Sequence, residues 1–515
     1  MNIRMLPYHP RRIRLLLLRF NLIILITLIA CAPRPALKKP AGHLDAIRQF
    51  QKNVAQILQD SLLRQTRTGI EINSLESGET FYAQNNYQLF HPASNMKLLT
   101  TATALKLLGP NYKFKTILYT DTSSLADSTI TGNLYLKGFG NPALSVENLH
   151  SLVQTLILHG ISNINGNLVC DESYMDDFYW GSGWMWDDVS SEDFASISAL
   201  TVNNNCVTVV VKPGNTVGDS LIVHLNPPTQ YVKIVNRGVT TDSLDTLRQK
   251  MFKVERKWRP PENTIVVEGG MPLGALEQTF VIDVLDPALY TGTLFSELLH
   301  QEGIHFNGQV LKGSVPDTAR VIAEHYSPPL TMVVFNTNKV SNNLSAELLL
   351  KTLGAEVKGP PGTATKGISV IHQFLNSIGI DSTTYELADG SGVSRYNVIT
   401  PHLIVRLLKA MHEDFGIQAE FKASLPIAGI DGTLRRRMKG SAAEGLLHAK
   451  TGTLRGVSSL SGYTATADGE VVAFSIMMEH FVGSASGIRS IQDRIGELIS
   501  SFSRNDRKQP SVLWH

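Results

Sequence analysis

The sequence predicts an α+β protein in which an antiparallel sheet covered by helices is interrupted by a β-rich insertion. Three observations support this fold class. The chain has 515 residues, which is too long for one ordinary domain. Patterns typical of helices and strands occur near both of its ends, whereas residues 112–327 consist mainly of short β-rich runs punctuated by glycine. The two ends are therefore expected to form the two halves of one sheet.

Residues 1–30 are interpreted as an export signal. They contain five arginines, no acidic residue, and an apolar stretch at 22–30 that is too short to span a membrane. The sequence Leu28-Ile29-Ala30-Cys31 is similar to the lipobox of bacterial lipoproteins, which implies cleavage before Cys31 and attachment of lipid to its sulfur. An ordinary secretory signal with an incidental cysteine is the alternative. Residues 31–43 contain several prolines and lysines and are expected to form a tether.

The charge of the chain gives no reason to expect a nucleic-acid partner. The formal net charge is +2. Because the five arginines of the signal exceed this surplus, the rest of the chain is slightly acidic, and a basic surface is what nucleic-acid binding requires.

Helix and strand patterns begin directly after the tether. A helix is predicted at about 44–63, and two strands follow at about 69–73 and 80–83, joined by a turn at "ESGE". The helix is indicated by an apolar stripe of Ile47, Phe50, Val54, Ile57 and Leu58. A second helix begins within "HPASNMKLLT", residues 91–100, and its leucines and alanines predict burial over most of its circumference.

The region between about residues 112 and 327 differs from the parts that flank it. Its runs are short and β-rich, as in "GNLYLKGFGNP" and "CVTVVVKPG", and few of its residues are of types that catalyse reactions. It is interpreted as one or two domains inserted into the first, with a single large irregular α+β domain as the alternative.

The C-terminal part resembles the N-terminal part in its pattern. Strands are predicted at about 446–450, 456–466 and 470–478, and Asp468-Gly469 is a two-residue hairpin signal between the last two. A closing helix is indicated by apolar residues with a period near 3.6, which are Ile488, Ile491, Ile495, Leu498, Ile499 and Phe502.

Besides Cys31 the chain contains two cysteines, Cys170 and Cys206. Outside the cytoplasm such a pair can form a disulfide, which would stabilise the protein by about 3 to 4 kcal/mol if the geometry allowed it. Two buried free thiols are the alternative. A zinc site is not indicated, because no histidines lie nearby at ligand spacing.

Three short motifs carry the chemistry of this chain. S-x-x-K alone is weak evidence, since a chain of this length is expected to contain it by chance. The three together, in one chain order, are typical of penicillin-binding proteins and class A β-lactamases. In chain order the motifs are S-x-x-K at Ser94 and Lys97, S-x-N at Ser341, Asn342 and Asn343, and K-T-G at Lys450, Thr451 and Gly452.

On these motifs the chain resembles the D-alanyl-D-alanine carboxypeptidases/endopeptidases of the peptidase S13 family, the class C low-molecular-mass penicillin-binding proteins. The resemblance covers about residues 44–505 and includes "SALTVNNNCVTV", "GNPAL", "LADGSGVSRYNVITP" and "LPIAGIDGTLRRRM". It implies a penicillin-binding transpeptidase-like catalytic domain made of residues 44–111 and 328–505, with residues 112–327 inserted. The long separation of Lys97 and Ser341 reflects this insertion. The second motif reads S-N-N where S-D-N is common, which leaves its serine and second asparagine in place.

The spacing of Ser94 and Lys97 suits nucleophilic catalysis. Residues three apart share one face of a helix, so the amine can reach the hydroxyl and remove its proton. A lysine is a base only when neutral, and burial together with the positive charge of Lys450 is expected to lower the pKa of Lys97. The identity of the base is disputed for enzymes with this motif, and Lys97 is the leading candidate here.

The family resemblance implies roles for the second motif and for a loop arginine. Ser341 would pass a proton to the departing amine, and Asn343 would bond both Lys97 and the substrate backbone. Arg395 is either a substrate contact or a structural arginine in a tight loop. The run at 435–437, three consecutive arginines, is expected to be a solvated face rather than a site.

The third motif is expected to bind the end of the substrate. Lys450 and Thr451 would supply a cation and a hydroxyl for the terminal carboxylate of the peptide. Gly452 would let the substrate lie against the strand edge. The oxyanion would lie between the backbone N–H groups of Ser94 and Thr453.

The sequence therefore predicts an exported, lipid-anchored, serine-type D-Ala-D-Ala carboxypeptidase/endopeptidase at the cell envelope, facing the periplasm or the cell surface. Its substrates would be peptidoglycan stem peptides, and the resemblance also implies cleavage of D-Ala to diaminopimelate cross-links. Ser94 would form an acyl-enzyme that water hydrolyses. β-Lactam antibiotics are expected as covalent inhibitors, no metal or organic cofactor is implied, and a homodimer is left open.

Two other functions are compatible with the fold. A β-lactamase or esterase would use the same motifs and would turn antibiotics over rapidly, but no clear deacylating glutamate follows the second motif, since Glu347 is expected to be structural. A non-catalytic wall-binding lipoprotein would have little need for all the motif residues together.

Overall fold

The computed structural model describes residues 41–122, 128–185, 191–258 and 260–505. The predicted signal and the lipidation site at Cys31 lie outside these ranges. Residues 49–503 form one compact unit, and residues 1–48 with 504–515 form another, of which only residues 41–48, 504 and 505 are described. Within the described ranges, no helix has the length and apolar character needed to cross a bilayer.

Helices and strands occur along the whole described chain. The α-helices found there are α1 Ala41–Ile57, α2 Met96–Leu108, α3 Val146–Leu158, α4 Thr246–Lys250, α5 Pro287–Gln301, α6 Leu330–Lys339, α7 Asn343–Lys358, α8 Ala364–Ser377, α9 Pro401–Glu413, α10 Gln418–Ser424 and α11 Ser486–Ser501. The strands are β1 Arg67–Ser74, β2 Thr80–Gln84, β3 Lys115–Thr120, β4 Thr129–Ile130, β5 Leu134–Gly138, β6 Asn163–Ile164, β7 Leu168–Asp171, β8 Cys206–Lys212, β9 Ile222–Asn226, β10 Lys233–Asn236, β11 Val239–Thr241, β12 Lys253–Trp258, β13 Pro261–Glu268, β14 Gly270–Pro272, β15 Gln278–Asp283, β16 His305–Phe306, β17 Val310–Lys312, β18 Arg320–Tyr326, β19 His448–Leu454, β20 Val457–Ala465 and β21 Val471–Glu479.

A five-stranded antiparallel sheet joins distant parts of the chain. Its strand order is β19-β20-β21-β1-β2, so the N-terminal hairpin lies beside three C-terminal strands. The two parts meet at β1 and β21, where Arg67 is opposite Glu479 and Ser74 is opposite Val472. The prediction of one antiparallel sheet built from both ends is confirmed.

Helix α2 is buried in the middle of the core that covers this sheet. Leu98, Leu99, Ala102 and Leu105 have no exposed surface, and their core also includes apolar residues of helices α6 to α9 and of the sheet. A helix that is apolar nearly all round is expected to be enclosed in this way. The turn that precedes α2 therefore has a rigid support.

Element boundaries differ from the predicted ones in two places. Helix α1 begins at Ala41, inside the predicted tether, and it ends at Ile57 because Asp60 caps a separate short 3-10 helix by accepting the N–H of Leu62 at 3.1 Å. Strand β19 continues to Leu454, so the K-T-G motif lies in the interior of the strand rather than at its end.

The strands between residues 115 and 326 belong to other sheets. The largest is a mixed sheet with the order β17-β7-β5-β3-β18, and helices α3 and α5 contribute to the core around it. Neither helix was predicted, although Ser145 and Asp286 cap their first turns. Cys170 in β7 and Cys206 in β8 are buried free thiols. The assignment of residues 112–327 to inserted domains stays a prediction.

Candidate active site

Ser94 and Lys97 lie at the start of helix α2. Ser94 is in a one-turn 3-10 helix, Ala93–Asn95, that leads directly into α2. The Nζ of Lys97 is 3.0 Å from the Oγ of Ser94, 2.6 Å from the Oδ1 of Asn343 and 2.7 Å from the carbonyl oxygen of Ser391. Lys97 is completely buried, whereas Ser94 is partly accessible. The predicted nucleophile and base are therefore in contact.

The second and third motifs meet opposite this pair. The fully buried Lys450 of β19 donates to the Oγ of Ser341 at 2.8 Å and to the carbonyl of Thr451 at 2.9 Å. Ser341 has a φ of 66°, in the left-handed region that a serine rarely occupies. Such strain is concentrated at functional sites, where the surrounding structure enforces it.

The turn that carries Ser94 is fastened to the sheet by side-chain hydrogen bonds. Asn95 donates from Nδ2 to the carbonyl of Lys450 at 2.9 Å and accepts from the Oγ of Ser461 at 2.6 Å. Ser459 donates to the carbonyl of Pro92 at 2.7 Å. The nucleophile is thereby held beside β19 by two neighbouring strands.

Gly452 is required by the close approach of this turn. A Cβ at position 452 would overlap the Oγ of Ser459 and would lie 2.8 Å from the carbonyl oxygen of Pro92 and 2.9 Å from the backbone nitrogen of Ser94. The expectation was that glycine makes room for substrate. The structure adds a different reason, which is contact between β19 and the turn that carries Ser94.

Burial dominates the electrostatics of the two lysines. It lowers the pKa of Lys97 to about 8, while the negative charges of Asp389, Glu347 and Asp193 oppose that shift. The pKa of Lys450 is lowered well below its ordinary value, first by burial and then by the charge of Lys97. Because repulsion between two cations is mutual, the expected lowering of the Lys97 pKa by a charged Lys450 stays a prediction. The carboxylates oppose the effect of burial on Lys97.

Ser94 opens into a cavity of about 750 Å³, which Ser341 and Asn343 also line. The buried amines of Lys97 and Lys450 do not line it but are hydrogen-bonded to residues that do. We call the hydrogen-bonded set Ser94, Lys97, Ser341, Asn343 and Lys450 the floor. Arg435 and Arg436, which are exposed and line the same cavity, are called the rim. The arginine run was expected to be a solvated face rather than a site. Arg435 and Arg436 are exposed, as that interpretation requires, and they also line this cavity.

Comparisons with known proteins agree with the motifs. A family model described as "D-Ala-D-Ala carboxypeptidase 3 (S13) family" matches residues 50–501. This chain belongs to the S13 family. It is 34% identical, over 91% of its length, to a D-alanyl-D-alanine carboxypeptidase from an Actinomadura species, of which 87% is covered. It is 29% identical, over 88% of its length, to the D-alanyl-D-alanine carboxypeptidase DacB of Haemophilus influenzae, of which 92% is covered.

The fold of this S13 protein is also found among solved structures. Penicillin binding protein 4 of Haemophilus influenzae matches with a TM-score of 0.77 and 24% identity, over 86% of this chain and 98% of that chain. Its complex with a β-lactam matches with a TM-score of 0.72 and 24% identity, over 87% of this chain and all of that chain. The penicillin-binding transpeptidase-like fold is confirmed. By its family, the protein is a serine-type D-Ala-D-Ala carboxypeptidase.

Two carboxylates of this S13 enzyme hold the backbone of the loop at residues 390–392, which contacts the floor through Lys97. Glu347, completely buried on α7, accepts the N–H groups of Gly390 at 3.0 Å and of Ser391 at 2.8 Å, and the carbonyl of Ser391 in turn accepts from Lys97. Asp389 accepts the N–H of Gly392 at 2.7 Å, a bond that is typical of an aspartate in a turn. Burial and the charge of Asp389 raise the pKa of Glu347 to about 7.

Sequence reasoning treated Glu347 only as structural. A signal was available, because Glu347 interrupts an otherwise apolar stretch of α7 one turn before Lys351, and both side chains are buried. An acid in such a helix needs partners. Those partners belong to a loop more than 40 residues away in sequence, and no local pattern identifies them.

Arg395 does not lie among the residues that line the cavity. Its guanidinium donates to the carbonyl of Arg455 at 2.7 Å, in the turn after β19.

In the aromatic segment "FYWGSGWMWDD", Trp180 and Trp184 pack edge to face with ring centroids 5.3 Å apart, within a small core. Within the described part of the chain, no three His, Cys, Asp or Glu side chains are grouped to hold a metal ion.

Proposed function

We propose that Ser94 is the nucleophile of this carboxypeptidase and that Lys97 is its base. The observation that supports this proposal is the environment of the Lys97 amine. A neutral amine has two N–H groups and one lone pair. The carbonyl oxygens of Asn343 and Ser391, at 2.6 and 2.7 Å, can accept both N–H groups, which leaves the lone pair directed at Ser94. Because the pKa of Lys97 is about 8, much of the amine is neutral near that pH.

In the proposed acylation, each proton that moves has a donor and an acceptor among these residues. The Oγ of Ser94 bonds to the carbonyl carbon of the penultimate D-alanine as its proton passes to Lys97. The C–N bond to the terminal residue breaks, and the departing amine takes a proton from Ser341, which regains one from Lys450 at 2.8 Å. In deacylation, water attacks the ester, its proton returns toward Lys450 and Ser341, and Lys97 reprotonates Ser94.

Strand β19 is proposed to hold the substrate. The hydroxyl of Thr451, which contacts that of Thr433 at 2.7 Å, binds the terminal carboxylate in the positive field of Lys450. The oxyanion is stabilised by the backbone N–H groups of Ser94 and Thr453, with Gly452 between the turn and the strand. Arg395 is proposed to hold the turn after β19 rather than the substrate, since Arg455 already engages it.

We further propose that the enzyme acts at the cell envelope on peptidoglycan stem peptides. Lipid attached at Cys31 would anchor it to a membrane facing the periplasm or the cell surface. It would cleave D-Ala to diaminopimelate cross-links as well as terminal D-Ala-D-Ala bonds, because both reactions transfer the same D-alanyl group to Ser94. β-Lactams would acylate the same hydroxyl.

Incubation with penicillin G followed by intact-mass measurement tests this function. The wild-type protein is expected to gain the mass of one penicillin molecule and to keep it, and Ser94→Ala is expected to gain none. Ser484→Ala, which removes an exposed hydroxyl elsewhere in the chain, is the matched control and should be labelled. An unmodified wild-type protein would contradict the proposal, and rapid loss of the adduct would indicate a β-lactamase.

A further inference from the structure

The rim arginines differ from the other cations that line the cavity. Lys339 is paired with both carboxylate oxygens of Asp431, at 2.8 and 2.6 Å, and Arg437 is paired with Asp493 at 2.7 Å. No residue of the described ranges forms an ion pair or a side-chain hydrogen bond with Arg435 or Arg436. Two positive charges in this cavity are therefore free to meet an anion.

The rim lies next to the part of β19 assigned to the terminal residue of the substrate. Arg435 directly follows the 3-10 helix Gly432–Leu434, whose Thr433 hydroxyl is 2.7 Å from the hydroxyl of Thr451. Arg489 lines the same cavity and donates to the Oγ of Thr453 at 3.1 Å. The rim arginines and Arg489 thus line the cavity close to the proposed carboxylate site, where the leaving residue would lie.

A stem peptide that is not cross-linked does not need the rim arginines. When terminal D-alanine leaves, it carries one carboxylate, and Thr451 and Lys450 account for that group. When a cross-link is cut, the leaving residue continues into a second stem peptide with further carboxylates. Asp193 is the acidic residue that lines the cavity, but it does not pair with the rim arginines. It lies beside Asn343, which donates to the backbone carbonyl of Asp193 at 2.8 Å.

We propose that Arg435 and Arg436 form a binding site for a second carboxylate on the leaving-group side, which makes them specificity-determining residues for cross-linked, acidic peptides. This inference rests on the proposed function, because it takes the position of the leaving group from Thr451 and Ser94. Guanidinium groups suit the task, since they stay charged and bind carboxylates through two parallel hydrogen bonds.

The test compares three defined substrates with the full-length enzyme. They are a stem pentapeptide ending in D-Ala-D-Ala, a D-Ala to diaminopimelate cross-linked dimer, and the same dimer with the leaving-side carboxylates amidated. The wild-type enzyme is expected to favour the acidic dimer over the amidated one by about tenfold in kcat/KM, mainly through KM. In Arg435→Gln/Arg436→Gln this preference should fall to about twofold or less.

Two control variants keep the result specific. Arg435→Lys/Arg436→Lys retains the charge and should keep most of the preference. Arg320→Gln removes an exposed arginine of β18 outside the cavity and should keep all of it. Equal cleavage of the acidic and amidated dimers by the wild type, or an unchanged preference in the double glutamine variant, would overturn the inference. Failure to cleave the pentapeptide and to react with penicillin G would instead be a failure of the proposed function.

Discussion

The floor and the rim of the cavity both contain basic side chains, but in opposite surroundings. Lys97 and Lys450 have no exposed surface, and their amines are held by partners at 2.6 to 3.0 Å. Arg435 and Arg436 are exposed, and no described residue pairs with them. Burial disfavours a charged amine and makes it available for proton transfer, whereas an exposed guanidinium keeps its charge and can bind an anion. A basic side chain can thus serve catalysis or recognition, depending on its burial.

Replacing Lys97 by methionine should affect the floor most strongly. The rate constant for acylation by penicillin G is expected to fall by about 100- to 10,000-fold, because the proton of Ser94 loses its acceptor. Timed intact-mass measurements provide the rate. Lys439→Met removes an exposed lysine that does not line the cavity and should acylate normally. If Lys97→Met kept the wild-type rate, Lys97 would not be the base.

Gly452→Ala should push the turn that carries Ser94 away from β19. Its Cβ would overlap Ser459 and crowd Pro92 and Ser94, so we expect the free energy of unfolding to fall by about 1 to 3 kcal/mol and acylation to slow by about tenfold or more. Urea unfolding and timed mass spectra measure the two effects. Gly416→Ala is the control, because the new Cβ would lie 3.4 Å from the Oδ1 of Asp414, an ordinary contact distance. Normal acylation by Gly452→Ala would mean that this contact does not position Ser94.

Glu347→Gln should alter the pH dependence of the floor. Removing this negative charge makes protonated Lys97 less stable, so the pKa of Lys97 falls and acylation reaches half of its maximum at a lower pH. The measurement is acylation rate against pH. Glu356→Gln, on the same helix but bonded to Tyr112 and Tyr174, should leave the midpoint in place. A midpoint that moved upward, or did not move, would remove Glu347 from the account of Lys97.

A change in salt concentration should distinguish the rim from the floor, and its effect is expected to be the smallest of those predicted here. Raising ionic strength from about 0.05 to 0.5 M screens exposed charges and should reduce the preference for the acidic dimer by about two- to threefold. The pH midpoint of acylation should change little, because Lys97 is enclosed. Equal sensitivity of both quantities would show that the two regions are not electrostatically distinct. Parallel kinetic assays at two salt concentrations measure both.

The floor was largely predictable from sequence because each of its parts is a short local motif. Residues three apart at the start of an apolar helix fix the relation of Ser94 to Lys97, and Asn342, the cap of α7, places Asn343 at the start of that helix. The closing helix α11 was predictable for a similar reason, since its apolar period is local.

The supports and the rim were not predictable, because they depend on contacts between distant segments. Glu347 acts through backbone N–H groups at Gly390 and Ser391, and backbone groups have no sequence signature. The run at 435–437 has the pattern of a solvated face, and only the fold brings it beside Thr451. The length of β19 was also missed, because pairing with β20 continues it to Leu454.

The pH dependence of acylation by penicillin G tests the central claim most directly, namely that a buried and neutral Lys97 activates Ser94. With the pKa of Lys97 at about 8, the acylation rate constant of the wild-type enzyme should rise about tenfold per pH unit below that value and level off above it. A rate constant that stays the same between about pH 6 and pH 9 would contradict the account.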